Sequence, residues 1–198
     1  MLFKEFKETG RDVFLRGLIS SHAGNMSVKI ADRIHITRKS SMLGRLLPKD
    51  IVEVGPEKDD ANDSLASTEL VVHRAIYEKT RGLAIVHTHP PYATLLSMVL
   101  DKIVPVDSEG IYLFQEAPVV SPEKTIGSEE AAILVSESLQ DSKIVLIRGH
   151  GSFARGNTLE EAFMLTTSLE ASAFFLYHLH GLSNLKVRRA NPTSRTRS

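Results

Sequence analysis

His87 and His89 stand one residue apart at the end of the run Ala84-Ile85-Val86-His87-Thr88-His89-Pro90-Pro91. The run is short, apolar and made of strand formers. Side chains at i and i+2 of a strand share a face, so the two imidazoles project together. The prolines end the strand because they donate nothing to a ladder. Two adjacent imidazoles make half of a tetrahedral metal site. They also make an ordinary solvated pair at a strand end. A third histidine has a similar setting: His150 follows the apolar run Ile144-Val145-Leu146-Ile147 and lies between Gly149 and Gly151. Glycines on both sides let the backbone approach a site closely. Three histidines at two strand ends match the three-ligand pattern of catalytic zinc, which keeps a position open. Taken alone, His150 is equally a turn residue in a Gly-His-Gly loop.

Chemistry at such a centre needs an acid or base and, for a charged substrate, an anion cradle. Glu69, in Ser67-Thr68-Glu69, falls in the first turn of an expected helix. The helix dipole favours a carboxylate there, so its presence has a structural reason as well as a chemical one. The free N–H groups of that helix start, with two hydroxyls beside them, suit an anion. Two further loops, at Gly24-Asn25 and at Arg38-Lys39-Ser40-Ser41, are rich in amides, hydroxyls and cations. That combination suits a phosphate and also suits a plain polar surface.

The elements that must position these groups can be read from periodicity and punctuation. Phe3, Phe6, Val13, Phe14 and Leu18 have helical spacing, which predicts an N-terminal amphipathic helix over 2–17, weakened by Gly10. Residues 28–30 and 34–37 form a hairpin around Ala31-Asp32-Arg33, with both polar loops at one end of it. Residues 51–54 make a strand, and the acidic loop 55–64 after it is expected to be solvated. A helix runs from Ser67 to about Thr80. After the His87/His89 strand come a short helix from Tyr92 to Leu100 and two short strands at 103–106 and 118–120. The segment 107–112 between those strands has no clear assignment. A helix capped by Ser128 spans 127–139, and strands follow at 143–147 and 151–156. The capping box Thr158-Leu159-Glu160-Glu161 starts the longest helix, which ends near His180. That helix has little polar face, so it is either deeply buried or packed on another subunit. His178 and His180 cannot share a helix face and read as surface residues.

Composition narrows the field. The 198 residues, 42% hydrophobic and 24% charged, are expected to form one globular domain over 1–185, followed by a basic tail over 186–198. Lys and Arg number 24, as do Asp and Glu, so bulk charge argues for neither nucleic acid nor an anionic membrane as partner. No apolar run approaches the roughly 20 residues that span a bilayer, and the first residues are unlike a secretion signal. The absence of cysteine excludes disulfides, thiolate ligands and a cysteine nucleophile. A transition metal must then sit on His and carboxylate oxygen. The expected location is the cytoplasm.

Together, Gly24-Asn25-Met26-Ser27, Ser67-Thr68-Glu69, His87-Thr88-His89 and Gly149-His150-Gly151 occur in an order and at a spacing that resemble the class II aldolase/adducin family. The resemblance runs from the N-terminal helix through the long C-terminal helix. It implies an α/β fold of three layers, α/β/α, around a central, mostly antiparallel sheet, assembled as a homotetramer with active sites at subunit interfaces. It implies His87, His89 and His150 as ligands of Zn²⁺, with Mn²⁺ or Co²⁺ as alternatives, and Glu69 as the acid/base residue. Asn25, Ser67 and Thr68 match positions that hold a substrate phosphate. The loop after Thr37 departs from the pattern: Lys39-Ser40 stands where the aldolases carry Thr-Gly, and a lysine and a hydroxyl still suit phosphate. Tyr112 is a candidate to complete the site.

The reaction implied is cleavage of a ketose 1-phosphate, of the L-fuculose-1-phosphate kind, into dihydroxyacetone phosphate and an aldehyde. Breaking the C3–C4 bond leaves an enediolate, whose charge a divalent metal stabilises as a Lewis acid. No lysine Schiff base is needed. Within the family, a ribulose-5-phosphate 4-epimerase-like enzyme tends to carry Asp at the Glu69 position. A methylthioribulose-1-phosphate dehydratase keeps the three histidines and the glutamate. A non-enzymatic adducin-like scaffold loses metal ligands that this chain retains.

Overall fold

A computed structural model describes residues 1–58 and 61–182. The chain forms helix α1 (Leu2–Leu15), then strands β1 (Asn25–Ile30), β2 (Arg33–Thr37) and β3 (Ile51–Val54). Helix α2 (Leu70–Lys79), strand β4 (Ala84–Thr88), helix α3 (Pro91–Ser97), strand β5 (Lys102–Ile103) and helix α4 (Ser108–Leu113) follow. The remainder is strand β6 (Ala117–Val120), helix α5 (Glu129–Asp141), strands β7 (Ile144–Ile147) and β8 (Gly151–Gly156), and helix α6 (Leu159–His180).

The eight strands make one sheet in the order β3-β2-β1-β4-β8-β7-β6-β5. Every neighbouring pair is antiparallel except β6 and β7. Helices cover both faces. Phe6, Val13, Met26, Val86, Leu146 and Leu169 belong to the core between the sheet and α1, α3, α4 and α6. Ile34, Val52, Ile76, Ile85, Val145 and Phe153 belong to the core on the other face, under α2 and α5. The neighbours Ile85 and Val86 fall in opposite cores, as do Val145 and Leu146, because successive strand side chains alternate in direction. This is why β4 and β7 read as unbroken apolar runs. The result is the three-layer α/β/α arrangement with a mostly antiparallel sheet.

Several local expectations are corrected. Helix α1 runs straight through Gly10, since a Cβ there would lie 2.5 Å from the Leu43 carbonyl oxygen. The glycine is what lets the helix pack on the connection between β2 and β3. Helix α2 begins at Leu70 rather than Ser67: the Ser67 N–H donates to the Thr37 carbonyl (3.1 Å), and Arg38 bridges Ala66, so this stretch extends the sheet. The segment 107–112 contains α4, whose N-cap Asp107 accepts from the Gly110 N–H at 2.9 Å. The strand expected over 103–106 stops at Ile103, ahead of Pro105. The loop at 55–64 is not simply solvated, because Asp63 accepts two hydrogen bonds from Arg74, at 2.6 and 2.7 Å. Ser128 and Thr158 cap α5 and α6 through bonds of 3.0 and 3.1 Å.

Helix α6 buries Leu159, Leu165, Leu169 and Ala173, yet leaves Phe174, Phe175 and Tyr177 exposed near its end. His178 and His180 are exposed as well. No helix of the described residues is long and apolar enough to cross a membrane. The expected boundary at residue 185 and the basic tail over 186–198 lie outside the described residues.

Candidate metal centre and active-site pocket

The site is assembled where the ends of β1 and β4 meet the turn between β7 and β8. Asn25 is the cross-strand partner of His87, and Phe153 is its partner on the other side. Directly opposite residues share a face, so the three side chains lie together. The Phe153 ring stacks on His87 at 4.1 Å between centroids. His89 lies just beyond the strand, which ends at Thr88. Its backbone N–H donates to the Leu18 carbonyl at 2.8 Å, and the turn still brings its ring to 4.9 Å from that of His87.

His150 sits in the β7–β8 turn. Gly149 has φ of 67°, in the left-handed region that favours glycine, and its N–H donates to Ser97 Oγ at 3.0 Å. Gly151 is required for closeness: a Cβ there would lie 2.2 Å from the Thr88 carbonyl oxygen and 2.8 Å from His89 Cδ2. The His150 ring is thereby placed 4.9 Å from His87 and 4.8 Å from His89, so the three centroids form a nearly equilateral triangle.

The donor set suits a divalent cation. One nitrogen from each of the three rings lies within 4.8 Å of the others. His87 Nδ1–H donates to the Ser152 carbonyl at 2.9 Å, which leaves Nε2 as the lone-pair atom. His87 Nε2 and His89 Nε2 face each other at 3.1 Å. Burial, reinforced by the neighbouring rings, holds His87 well below the usual histidine range and brings His89 down to about 4. Burial also lowers His150, and the Thr125 backbone offsets part of that. The contact with Thr125 falls short of a hydrogen bond, so His150 Nδ1 is buried without a partner among the described residues. All three rings are therefore neutral at physiological pH, the state in which imidazole ligates a metal.

Glu69 is almost wholly buried. It occupies the N-cap position of α2 but caps nothing with its side chain. The carboxylate turns into the pocket instead: Oε2 accepts from the Gly127 N–H at 3.2 Å, and Oε1 has no hydrogen-bond partner among the described residues. Oε1 lies 4.0 Å from His150 Nε2. Burial raises the Glu69 carboxyl to about 7, against the lowering effect of the Gly127 bond. Glu69 thus stands at the N-terminus of α2, where the dipole favours a carboxylate, and also faces the pocket. Gly127 comes so close that a Cβ would lie 2.5 Å from the Thr68 carbonyl oxygen.

Asn25, Lys39, Ser40, Ser67 and Thr68 line the same pocket of about 220 Å³ as Glu69 and the three histidines. The nine residues read from sequence as metal-ligating, acid/base or phosphate-binding are therefore brought together. Ser40 takes φ of 61°, a conformation better suited to the glycine of the family pattern. A larger groove of about 950 Å³ shares Lys39, Ser67 and Thr68 with the pocket and continues along α2. The three histidines and Glu69 line only the smaller of the two. Tyr112 is exposed on α4 and is absent from the pocket wall of a single chain. Arg38, His22 and Ile126 line the pocket without having been singled out as site residues. Arg38 carried a signal, as the cation beside Lys39; Ile126 and Gly127 carried none, since a loop far along the chain delivers them.

The sheet, its two helical layers and a three-histidine centre at the strand ends define an aldolase-like α/β protein. The chain belongs to the family described as class II aldolase and adducin N-terminal domain, which matches residues 4–177, and it is an enzyme of the class II aldolase type. The structure of L-fuculose-1-phosphate aldolase from Thermus thermophilus superposes with a TM-score of 0.89 at 38% identity, covering 94% of this chain and 98% of that one. The 3-oxo-tetronate 4-phosphate decarboxylase of Haemophilus influenzae is 32% identical over 181 residues, 88% of this chain and 86% of its own length. An L-fuculose phosphate aldolase of Methanococcus maripaludis is 29% identical over 179 residues, 90% of this chain and 97% of its own length.

Proposed function

We propose that the protein is a metal-dependent aldolase that cleaves a ketose 1-phosphate, of the L-fuculose-1-phosphate kind, into dihydroxyacetone phosphate and an aldehyde through an enediolate. The observation that carries this reading is the buried, partnerless Glu69 Oε1 beside three neutral imidazoles. His87, His89 and His150 would hold Zn²⁺, or Mn²⁺ or Co²⁺, whose histidine preferences overlap. A divalent cation in that place supplies Lewis-acid stabilisation of the charge that develops on the substrate oxygens.

The chain's own groups do the rest. Asn25, Ser67, Thr68, Lys39 and Ser40 hold the phosphate and fix the substrate's register, which is where much of the rate enhancement lies. When the C3–C4 bond breaks, the C4 hydroxyl releases its proton to water and becomes the aldehyde carbonyl, while the C3–C4 electron pair stays on the ketone half as the enediolate. Glu69 returns a proton to C3, and in the synthetic direction removes it. A carboxyl raised to about 7 is suited to both tasks near neutral pH. The exposed Phe174, Phe175 and Tyr177 on α6, with Leu95 and Met98 near α3, support assembly into a homotetramer with its sites at the interfaces. The absence of cysteine supports a cytoplasmic location.

A second reading has its own support. Arg38 and Lys39 both line the pocket and neither has a carboxylate partner among the described residues. Two cations suit a substrate with two anionic groups, such as a 3-oxo sugar-acid phosphate. Loss of CO₂ from a 3-oxo-tetronate 4-phosphate breaks C1–C2 and leaves the enediolate of dihydroxyacetone phosphate. Both reactions therefore converge on one intermediate and differ only in the leaving group.

The test follows from that convergence. Metal-loaded protein should exchange a C3 hydrogen of dihydroxyacetone phosphate with deuterated water, and the exchange should vanish in Glu69→Gln and after chelation. A folded, metal-containing protein without exchange refutes both readings. Where exchange is present, a panel of aldehydes assayed for ketose 1-phosphate, run beside CO₂ release from the 3-oxo acid phosphate, decides between them.

A further inference from the structure

Behind Asn25, on the side away from the pocket, a line of buried polar groups runs into α2. Asn25 Oδ1 lies 2.6 Å from His73 Nε2, His73 Nδ1 lies 2.6 Å from Ser27 Oγ, and Ser27 Oγ lies 2.7 Å from the Tyr77 hydroxyl. Asn25, Ser27, His73 and Tyr77 are all at least nine-tenths buried. Asn25 and Ser27 alternate along β1 and so share the face on which α2 packs. His73 and Tyr77 are four residues apart on α2 and present one stripe to that face.

The direction of this chain is determined. A carbonyl oxygen only accepts, so His73 Nε2–H donates to Asn25 Oδ1. A neutral imidazole has one N–H, and burial keeps His73 neutral, so Nδ1 must accept the Ser27 hydroxyl proton. Ser27 Oγ, having given its proton, accepts from the Tyr77 O–H. The opposite direction would leave the buried Tyr77 O–H without an acceptor, since its hydrogen bond among the described residues is to Ser27 alone. The amide nitrogen of Asn25 has no partner among the described residues and is not sealed off from solvent, and Asn25 lines the metal-side pocket.

We propose that His73 is a positioning residue: its Nε2–H holds the Asn25 carbonyl inward and so presents the Asn25 amide N–H groups to an anionic group of the substrate. This rests on the reading that Asn25 binds the substrate phosphate. Without His73, an amide that rotates by half a turn offers an anion the carbonyl oxygen in place of two donors. The Ser27 hydroxyl, donating to Nδ1, sets the tautomer of His73 and hence which of its nitrogens donates, and Tyr77 satisfies Ser27 from behind. The phosphate cradle is thus ordered from within the α2 layer and not only by the residues that touch the ligand.

The experiment is a titration of metal-loaded protein with inorganic phosphate, alongside steady-state kinetics with the phosphorylated substrate. His73→Leu should weaken phosphate binding about 10-fold or more and raise KM similarly, with kcat nearly unchanged, as expected for one lost hydrogen bond to a charged group. His73→Gln carries an N–H donor that reaches the Asn25 carbonyl, so it should restore most of the affinity. Ser27→Ala, which frees the His73 tautomer without removing the ring, should show an intermediate loss. Tyr77→Phe should lower thermal stability and leave phosphate affinity within about twofold, since Ser27 still donates to His73. If His73→Leu and His73→Gln are folded and weaken phosphate equally, or if neither does while Asn25→Ala weakens it, the positioning role is refuted and the Asn25 reading survives. If Asn25→Ala itself leaves phosphate binding unchanged, the underlying reading fails instead.

Discussion

Glu69 Oε1 and His150 Nε2 lie 4.0 Å apart, and Oε1 has no hydrogen-bond partner among the described residues although it is buried. An unpartnered buried carboxylate oxygen costs folding energy, so its retention points to a use. Three histidines able to hold a metal stand beside it without needing it as a donor. Glu69→Gln is nearly isosteric and should keep one metal per chain, with affinity within about 10-fold, while kcat falls by roughly 10²–10⁴ as for loss of an acid/base group. Metal analysis beside single-turnover kinetics checks both halves.

His150→Ala should behave in the opposite way. Removing one ring from a set whose nitrogens lie within 4.8 Å of each other leaves two donors. Metal affinity should drop by more than about 100-fold, beyond the effect of losing a supporting group. Competition with a coloured chelator measures it. Unchanged affinity would place the metal elsewhere.

Gly151→Ala tests the backbone contact that closes the site. A Cβ 2.2 Å from the Thr88 carbonyl oxygen cannot be accommodated without moving β8 from β4 or turning the His89 ring. The substitution should destabilise the fold by about 1–3 kcal/mol and also weaken metal binding. Thermal melts with and without metal separate the two effects, because a bound ligand adds stability only in proportion to its affinity.

Lys39→Met keeps the length of the side chain and removes its charge at the pocket wall. KM for a phosphorylated substrate should rise about 10-fold, and kcat should change little. The KM of the wild type should rise with salt more steeply than that of the variant. Equal salt dependence would remove Lys39 from the phosphate cradle.

His73 gives the fold an acid-sensitive point. Burial lowers it from 6.5 to about 3, so the folded protein holds it neutral where the unfolded chain is protonated. Its contribution is fully present above 6.5 and is lost as the pH falls toward 3, because the unfolded state binds the extra proton in that window. At pH 5 the loss is about 2 kcal/mol relative to pH 7.5, from 1.5 pH steps at 1.36 kcal/mol each. The stability gap between wild type and His73→Gln should shrink by about that amount over the same interval, read from urea unfolding at the two pH values. A gap independent of pH would mean that His73 is not held neutral.

Much of this arrangement is legible in local sequence. The β4 and β7 runs, the glycines around His150 and the capping residues Ser128 and Thr158 each act within a few positions of themselves, and the structure has them in the expected elements. Other features depend on partners far along the chain. Helix α2 starts late because Ser67 bonds Thr37 across the sheet edge. Gly10 survives inside α1 because Leu43 packs against it. Helix α4 is only six residues long, too short for a periodic signal, and its cap Asp107 is also bound by Ser172 from α6.

By itself, the sequence determined which residues are of a type able to ligate a metal, move a proton or bind an anion, and the strands that lead to the three histidines, since residue type and strand period are local properties. It left Asn25 in a loop, whereas Asn25 opens β1. Tertiary structure decided that the ends of β1 and β4, the β7–β8 turn and the start of α2 converge on one pocket. It also decided that Glu69 faces that pocket without a partner on Oε1, and that His73 stands behind Asn25. Those relations rest on pairings such as Thr88 with Ser152, 64 residues apart, and Ser27 with Tyr77, 50 residues apart. Contacts of that span form only when the sheet closes and its cores pack, so no local pattern records them.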